Sequence, residues 1–114
     1  MIDDIGKTIA LAAKIQAALP MAAIATKELR GFLQQQSNIV FPRECDITEI
    51  RYMNDDGGIA CQLDFGFSGP KNLYVVSITH LRFDSGNSLR REIEAYCKHR
   101  IKRLKKLNRG MDSI

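Results

Sequence analysis

The spacing of apolar residues predicts a helix at the start of the chain. Apolar side chains recur there every three or four residues, which places them on one face of a helix. They are Ile5, Ile9, Ala12, Ile15 and Leu19. Asp3 or Asp4 precedes this run and supplies a carboxylate that caps a helix N terminus. Pro20 lacks a backbone N–H group, so it ends or kinks the helix.

A second helical run is predicted over residues 21–35. Its apolar side holds Ala25, Leu29, Phe32 and Leu33. The sequence leaves open whether residues 3–36 form one kinked helix or two helices. The many alanines in this region allow close approach of another helix, either from the same chain or from a second copy.

After this region the spacing of apolar residues changes from the period of a helix to that of a strand. Residues 47–53 form a predicted strand, and the Asn-Asp-Asp-Gly-Gly run at 54–58 is typical of a hairpin turn. Over residues 59–67 apolar and other side chains alternate strictly, which gives a strand with one buried face. The residues predicted on that face are Ile59, Cys61, Leu63, Phe65 and Phe67.

A third strand is predicted over residues 73–84, after a turn at 68–72. Both of its faces carry apolar residues, so it lies centrally in the sheet or contains a bulge. The prediction is therefore a single α+β domain spanning residues 1–114. It has an N-terminal helix or helix pair, a three-stranded antiparallel β-meander in chain order, and a long C-terminal helix.

The C-terminal helix, Leu89 to Arg109, is amphipathic and basic. Ser88 is placed to cap it. Its apolar stripe is formed by Leu89, Ile93, Tyr96, Cys97, Ile101, Leu104 and Leu107. Arg100 falls on that stripe, so its guanidinium must find a partner or extend to solvent. The opposite side carries a basic ridge of Arg91, Lys98, Lys102, Lys105 and Arg109, flanked by Arg103 and Lys106.

Charge is distributed unevenly along the chain. Residues 89–114 hold nine Lys and Arg against three acidic residues, a balance of +6, whereas residues 1–88 hold eight against ten, a balance of −2. One interpretation is a solvated helix face whose cations favour the helix C terminus. The other is a phosphate-facing ridge, because clustered Lys and Arg displace counterions from a polyanion. The sequence leaves both open.

No catalytic, cofactor or metal residues are predicted. Cys97 and His99 lie two positions apart on a helix and point in different directions, which is poor metal geometry. The three cysteines lack C-x-x-C spacing, which indicates a reducing compartment, and we expect a cytoplasmic protein. Lys14, Gln16 and Pro20 interrupt the one candidate membrane span, and an acidic start argues against a cleaved signal sequence.

The leading hypothesis is a small non-catalytic protein that contacts nucleic acid or another polyanion through its last helix. The predicted phosphate contacts are Arg91, Lys98, Lys102, Arg103, Lys105, Lys106 and Arg109. The alternative is a homo-oligomeric protein-interaction module that uses the Ala-rich N-terminal helices. An enzyme is the third hypothesis and has no candidate active-site residues.

Overall fold

The computed structural model describes residues 3–66 and 74–112, except for the side chains of residues 108–112. Three helices and five strands follow one another along these residues. They are α1 (Ile5–Ala17), β1 (Met21–Ala25), α2 (Lys27–Ser37), β2 (Glu44–Tyr52), β3 (Ile59–Asp64), β4 (Tyr74–Ser77), β5 (Leu81–Arg82) and α3 (Arg90–Asp112). The described strands form one sheet in the order β4-β3-β2-β1-β5, and every neighbouring pair is antiparallel. The fold is α+β, and the predicted three-stranded meander understated the sheet.

The predicted second helical run is part strand and part helix. Met21–Ala25 forms β1, which lies between β2 and β5, and only Lys27–Ser37 is helical. Alternate residues of β1, starting at Met21, are buried. Hydrogen bonding to two neighbouring strands therefore outweighs the helix propensity of alanine. Asp4 caps α1 and Thr26 caps α2 through their side-chain oxygens.

The predicted third strand is divided. Its first part, β4, pairs with β3, and its last part, β5, pairs with β1 at the other edge of the sheet. A 3₁₀ turn at Ile78–His80 joins the two parts. Three residues span far less than the roughly 19 Å that separates the edges of a flat five-stranded sheet, so the sheet curls. The predicted turn at 68–72 and Phe67 lie outside the described residues.

The β2–β3 hairpin is antiparallel, as predicted. Ile59, Cys61, Leu63 and Phe65 are all buried, as the alternation in the sequence indicated. In the connecting turn Gly57 and Gly58 adopt positive φ values of 140° and 66°, which glycine tolerates best. A register shift between Ile47 and Glu49 marks a β-bulge in β2.

Helix α3 is only partly covered by the sheet. Ile93 and Cys97 are buried, whereas Ile101 and Leu107 are 39% and 52% exposed, so the predicted buried stripe is wrong over its second half. A helix of 23 residues is about 35 Å long, and the strands beneath it are much shorter. At the start of α3 the Leu89 N–H donates to the side-chain oxygen of Asn87, whereas the sequence predicted Ser88 as the capping residue. No helix among the described residues is long and apolar enough to cross a membrane.

Candidate functional site

All seven predicted contact residues lie on α3. Six of their side chains are exposed to solvent: Arg91, Lys98, Lys102, Arg103, Lys105 and Lys106. The seventh, Arg109, belongs to the same helix, but its side chain is outside the described set. With a rise of 1.5 Å per residue, the ridge from Arg91 to Arg109 extends over about 27 Å. The structure therefore presents the predicted ridge along one helix.

A groove of about 540 Å³ runs between α3 and the edge strand β5. Its floor is apolar and is formed by Leu81, Phe83, Ile93, Cys97 and Ile101. Its rim is basic, with Lys98, Lys102 and Lys105 on α3 and Arg82 on β5. We call this site the α3–β5 groove. The groove joins part of the predicted ridge to an apolar surface. This combination was not predicted from the sequence, because residues 73–84 were expected to form a single strand.

The acidic side chains near the start of α3 are already paired. Glu92 accepts from Lys14 of α1, and Glu94 pairs with Arg90, both at 3.0 Å. Among the described side chains, Lys98, Lys102, Lys105 and Lys106 form no ion pair. These four lysines are therefore cations that no acidic side chain of the described chain neutralises.

Arg100 does not belong to the exposed ridge. Its Nη1 donates to Asp3 Oδ2 at 3.0 Å, and its Nη2 donates to the Asp55 carbonyl oxygen at 2.9 Å. The hydroxyls of Tyr52 and Tyr96 donate to the same Asp3 oxygen, at 2.9 and 3.1 Å. This buried network ties the N terminus and the β2–β3 hairpin to the middle of α3. It confirms that Arg100 needs a partner, and it fixes the position of the helix that carries the lysines.

The β2–β3 turn packs directly on this network at Gly58. A Cβ atom at this position would overlap the Tyr96 hydroxyl and lie 3.0 Å from Arg100 Nε. The same hydroxyl accepts a hydrogen bond from the Ile59 N–H at 3.2 Å. Glycine is thus required at position 58 both by its positive φ and by the close approach of α3.

The cysteines are buried and free. Burial raises the pKa of the Cys61 thiol to about 12, and the pKa values of Cys45 and Cys97 to about 11. Such thiols stay protonated at neutral pH and are poor nucleophiles. Within residues 3–66 and 74–112, no group of three His, Cys, Asp or Glu side chains is arranged to hold a metal ion.

Acidic residues gather on the outer face of the sheet, away from α3. Glu44, Asp46, Asp64 and Asp84 are exposed and line a shallow depression there. The β2–β3 register places Asp64 opposite Asp46. Asp64 accepts a hydrogen bond from the Gly66 N–H at 2.8 Å, which is local turn chemistry. This acidic cluster is therefore separate from the α3 lysines.

The N-terminal segment forms two helices, α1 and α2, but its alanine-rich stretch Met21–Ala25 is a strand between them. Ala22, Ala23 and Ala25 belong to the internal strand β1, and Leu11 and Ile15 of α1 are buried within the fold. Both helices keep an exposed large apolar residue, Ile9 on α1 and Phe32 on α2, and the oligomer hypothesis stays a prediction.

Comparison of the chain with protein-family models, with curated proteins and with solved structures finds no match. Function is therefore argued from the geometry and charge of the site.

Proposed function

We propose that this chain is a non-catalytic protein that binds nucleic acid through the basic side of α3. The observation that carries the proposal is the set of four exposed lysines, at positions 98, 102, 105 and 106, without acidic partners among the described side chains. The helix dipole favours cations only within about the last turn, and these four lysines lie before the last turn of α3. A face that stays uncompensated over two turns suits a polyanion.

The ridge supplies contacts to phosphates rather than to bases. Lys98, Lys102 and Lys105 follow one another at about 6 and 4.5 Å along the helix axis, a spacing comparable to that of one or two nucleotides on a strand. We assign Arg91 and Arg109 to the same ridge, with Arg103 and Lys106 as secondary contacts. Contacts of this kind bind with little dependence on sequence, and their strength falls with salt.

The test is fluorescence anisotropy with a labelled oligonucleotide at low salt. The variant Lys98→Glu, Lys102→Glu, Lys105→Glu lowers the net charge from +4 by six, to −2. The matched control, Lys7→Glu, Lys27→Glu, Arg43→Glu, makes the same change at exposed positions outside α3. Both variants should keep the circular dichroism spectrum of the parent.

We expect the α3 variant to lose at least about a hundredfold in affinity, because three phosphate contacts become repulsive. The control should lose much less, since only the overall charge differs. Equal losses in the two variants would mean that net charge, not the ridge, governs binding. Binding that survives the α3 variant would remove the proposal.

A further inference from the structure

We infer that the α3–β5 groove binds single-stranded nucleic acid in preference to a duplex, with the backbone on its lysine rim and a base against its apolar floor. This inference rests on the proposed function and specifies the ligand of the same site. The carrying observation is that Lys98, Lys102 and Lys105 belong at once to the basic ridge and to the rim of an apolar groove.

The floor of the groove offers apolar surface next to the cations. Ile101 is 39% exposed although it lies on the apolar stripe of α3, and it lines the groove together with Leu81 and Phe83. The volume of about 540 Å³ falls in the range of small-molecule sites, about 300–1,000 Å³. A groove of this size accommodates one or two bases rather than a double helix.

The rim has cations on both sides. Arg82 projects from β5 on one side, and Lys98 and Lys102 project from α3 on the other. Among the described residues that line the groove the one acid is Glu94, which is paired with Arg90. The positive rim of the groove therefore complements a phosphate backbone that passes along it, with a base against the apolar floor.

Only a single strand presents both features together. In a duplex the base faces are stacked on one another and the phosphates lie outside, so an apolar floor gains no contact. A single strand turns its bases toward protein surfaces while its backbone follows a positive groove. Charge alone predicts the opposite preference, because a duplex carries twice the charge per unit length along its axis. A preference for the single strand would therefore indicate that a base contacts the apolar floor of the groove.

The experiment compares a non-self-complementary oligonucleotide of about 16 nucleotides, the upper end of common single-strand site sizes, with its duplex at matched salt. Two variants accompany the parent protein. Ile101→Ser alters the groove floor, and Ile9→Ser is the matched control, because Ile9 is 54% exposed on α1 and does not line the groove. Thermal unfolding checks that both variants remain folded.

We expect the parent to bind the single strand at least about fivefold more tightly than the duplex. Ile101→Ser should lower single-strand affinity by about fivefold, because a polar hydroxyl replaces the apolar side chain that contacts the base, and should leave duplex affinity unchanged. Ile9→Ser should leave both affinities unchanged. Unlabelled single strand should displace the probe far better than poly-glutamate of equal charge.

Each contrary result has a distinct meaning. Duplex affinity equal to or above that of the single strand, or no effect of Ile101→Ser, would overturn the inference while the proposed function stands. Displacement by poly-glutamate as effective as by the oligonucleotide would overturn it in favour of an acidic polypeptide. Absence of binding to both nucleic acids would overturn the inference together with the proposed function.

Discussion

Arg100 and Asp3 form the most deeply buried ion pair in the described part of the chain. Their side chains are 3% and 1% exposed, and Asp3 Oδ1 has no hydrogen-bond partner among the described residues. Burial of two charges is costly, so such a pair adds little net stability over an apolar pair. Removal of one partner, however, leaves the other charge uncompensated. The pair therefore makes the position of α3 sensitive to either residue.

Arg100→Met should destabilise the fold by about 3–5 kcal/mol, because the Asp3 carboxylate stays buried without its cation. The double variant Asp3→Asn, Arg100→Met should be more stable than Arg100→Met alone, since no buried charge remains. Urea unfolding of the parent, both single variants and the double variant gives the coupling energy. Additive effects of the two changes would contradict this account.

The tyrosines of the network predict a loss of stability at alkaline pH. Burial raises the pKa of Tyr52 to about 12, with the hydrogen bond to Asp3 as the next cause, and burial also raises the pKa of Tyr96. Both folded values lie above the ordinary value of 10.0. The stability that they contribute is thus complete below pH 10 and is lost as the pH rises toward and beyond about 12.

Tyr96→Phe removes one of these titrating groups together with its hydrogen bonds. We expect this variant to be less stable than the parent at pH 8, and its urea midpoint to fall less steeply between pH 10 and about 11.5. The cysteine thiols contribute to the alkaline loss in both proteins and cancel in the comparison. Parallel pH profiles for the two proteins would show that the Tyr96 hydroxyl has an ordinary pKa in the fold.

At the residue scale, the sequence indicated that Arg100 needs a partner but did not identify that partner. Arg100 falls on an apolar stripe, so a compensating acid is predictable. That acid is Asp3, 97 positions away in the chain, and no local pattern marks it. Gly58 is similar, because its turn was predictable but its contact with Tyr96 is a consequence of how the hairpin packs on α3.

Among the elements, α3 combines an anchored half with an exposed half. Its buried residues Ile93, Cys97 and Arg100 all come before Ile101. The sequence stripe suggested that Leu104 and Leu107 also stabilise the fold, but Leu104 is only partly buried and Leu107 is exposed. The second half of α3 therefore contributes exposed cations but little buried apolar surface.

Two truncations separate these halves. A chain that ends at Arg103 keeps Arg100 and should lose only about 1–2 kcal/mol, chiefly from the partly buried Leu104. A chain that ends at Lys98 loses Arg100 as well and should lose at least about 3–5 kcal/mol. Thermal unfolding measures both. Equal stability of the two truncated chains would show that Arg100 does not anchor the helix.

The other elements show where sequence patterns are reliable. The strict alternation of residues 59–65 defined the buried face of β3, because a period of two has one structural explanation. Met21–Ala25 carried no such signal, since its alanines favour a helix locally. The segment is a strand because it pairs with β2 on one side and β5 on the other. The division of residues 73–84 likewise depends on the curl of the whole sheet.

On the scale of the whole molecule, a cluster of exposed acids and a cluster of lysines lie on different surfaces. The exposed acids Glu44, Asp46, Asp64 and Asp84 lie on the outer face of the sheet, and the unpaired lysines lie on α3. The charge asymmetry in the sequence predicted the basic surface. The α3–β5 groove was not predictable, because it requires β5 to pair with β1 and so to lie beside α3. A polyanion approaching this molecule is therefore attracted to one side of it.

The central claim is that phosphates contact the α3 lysines, and the salt dependence of binding tests it most directly. The slope of log affinity against log salt is about −0.7 per phosphate contacted on a single strand. Neutral substitutions Lys98→Gln, Lys102→Gln and Lys105→Gln should therefore make the slope shallower by about 2 relative to the parent. An unchanged slope, with binding intact, would contradict the claim that these lysines contact phosphates.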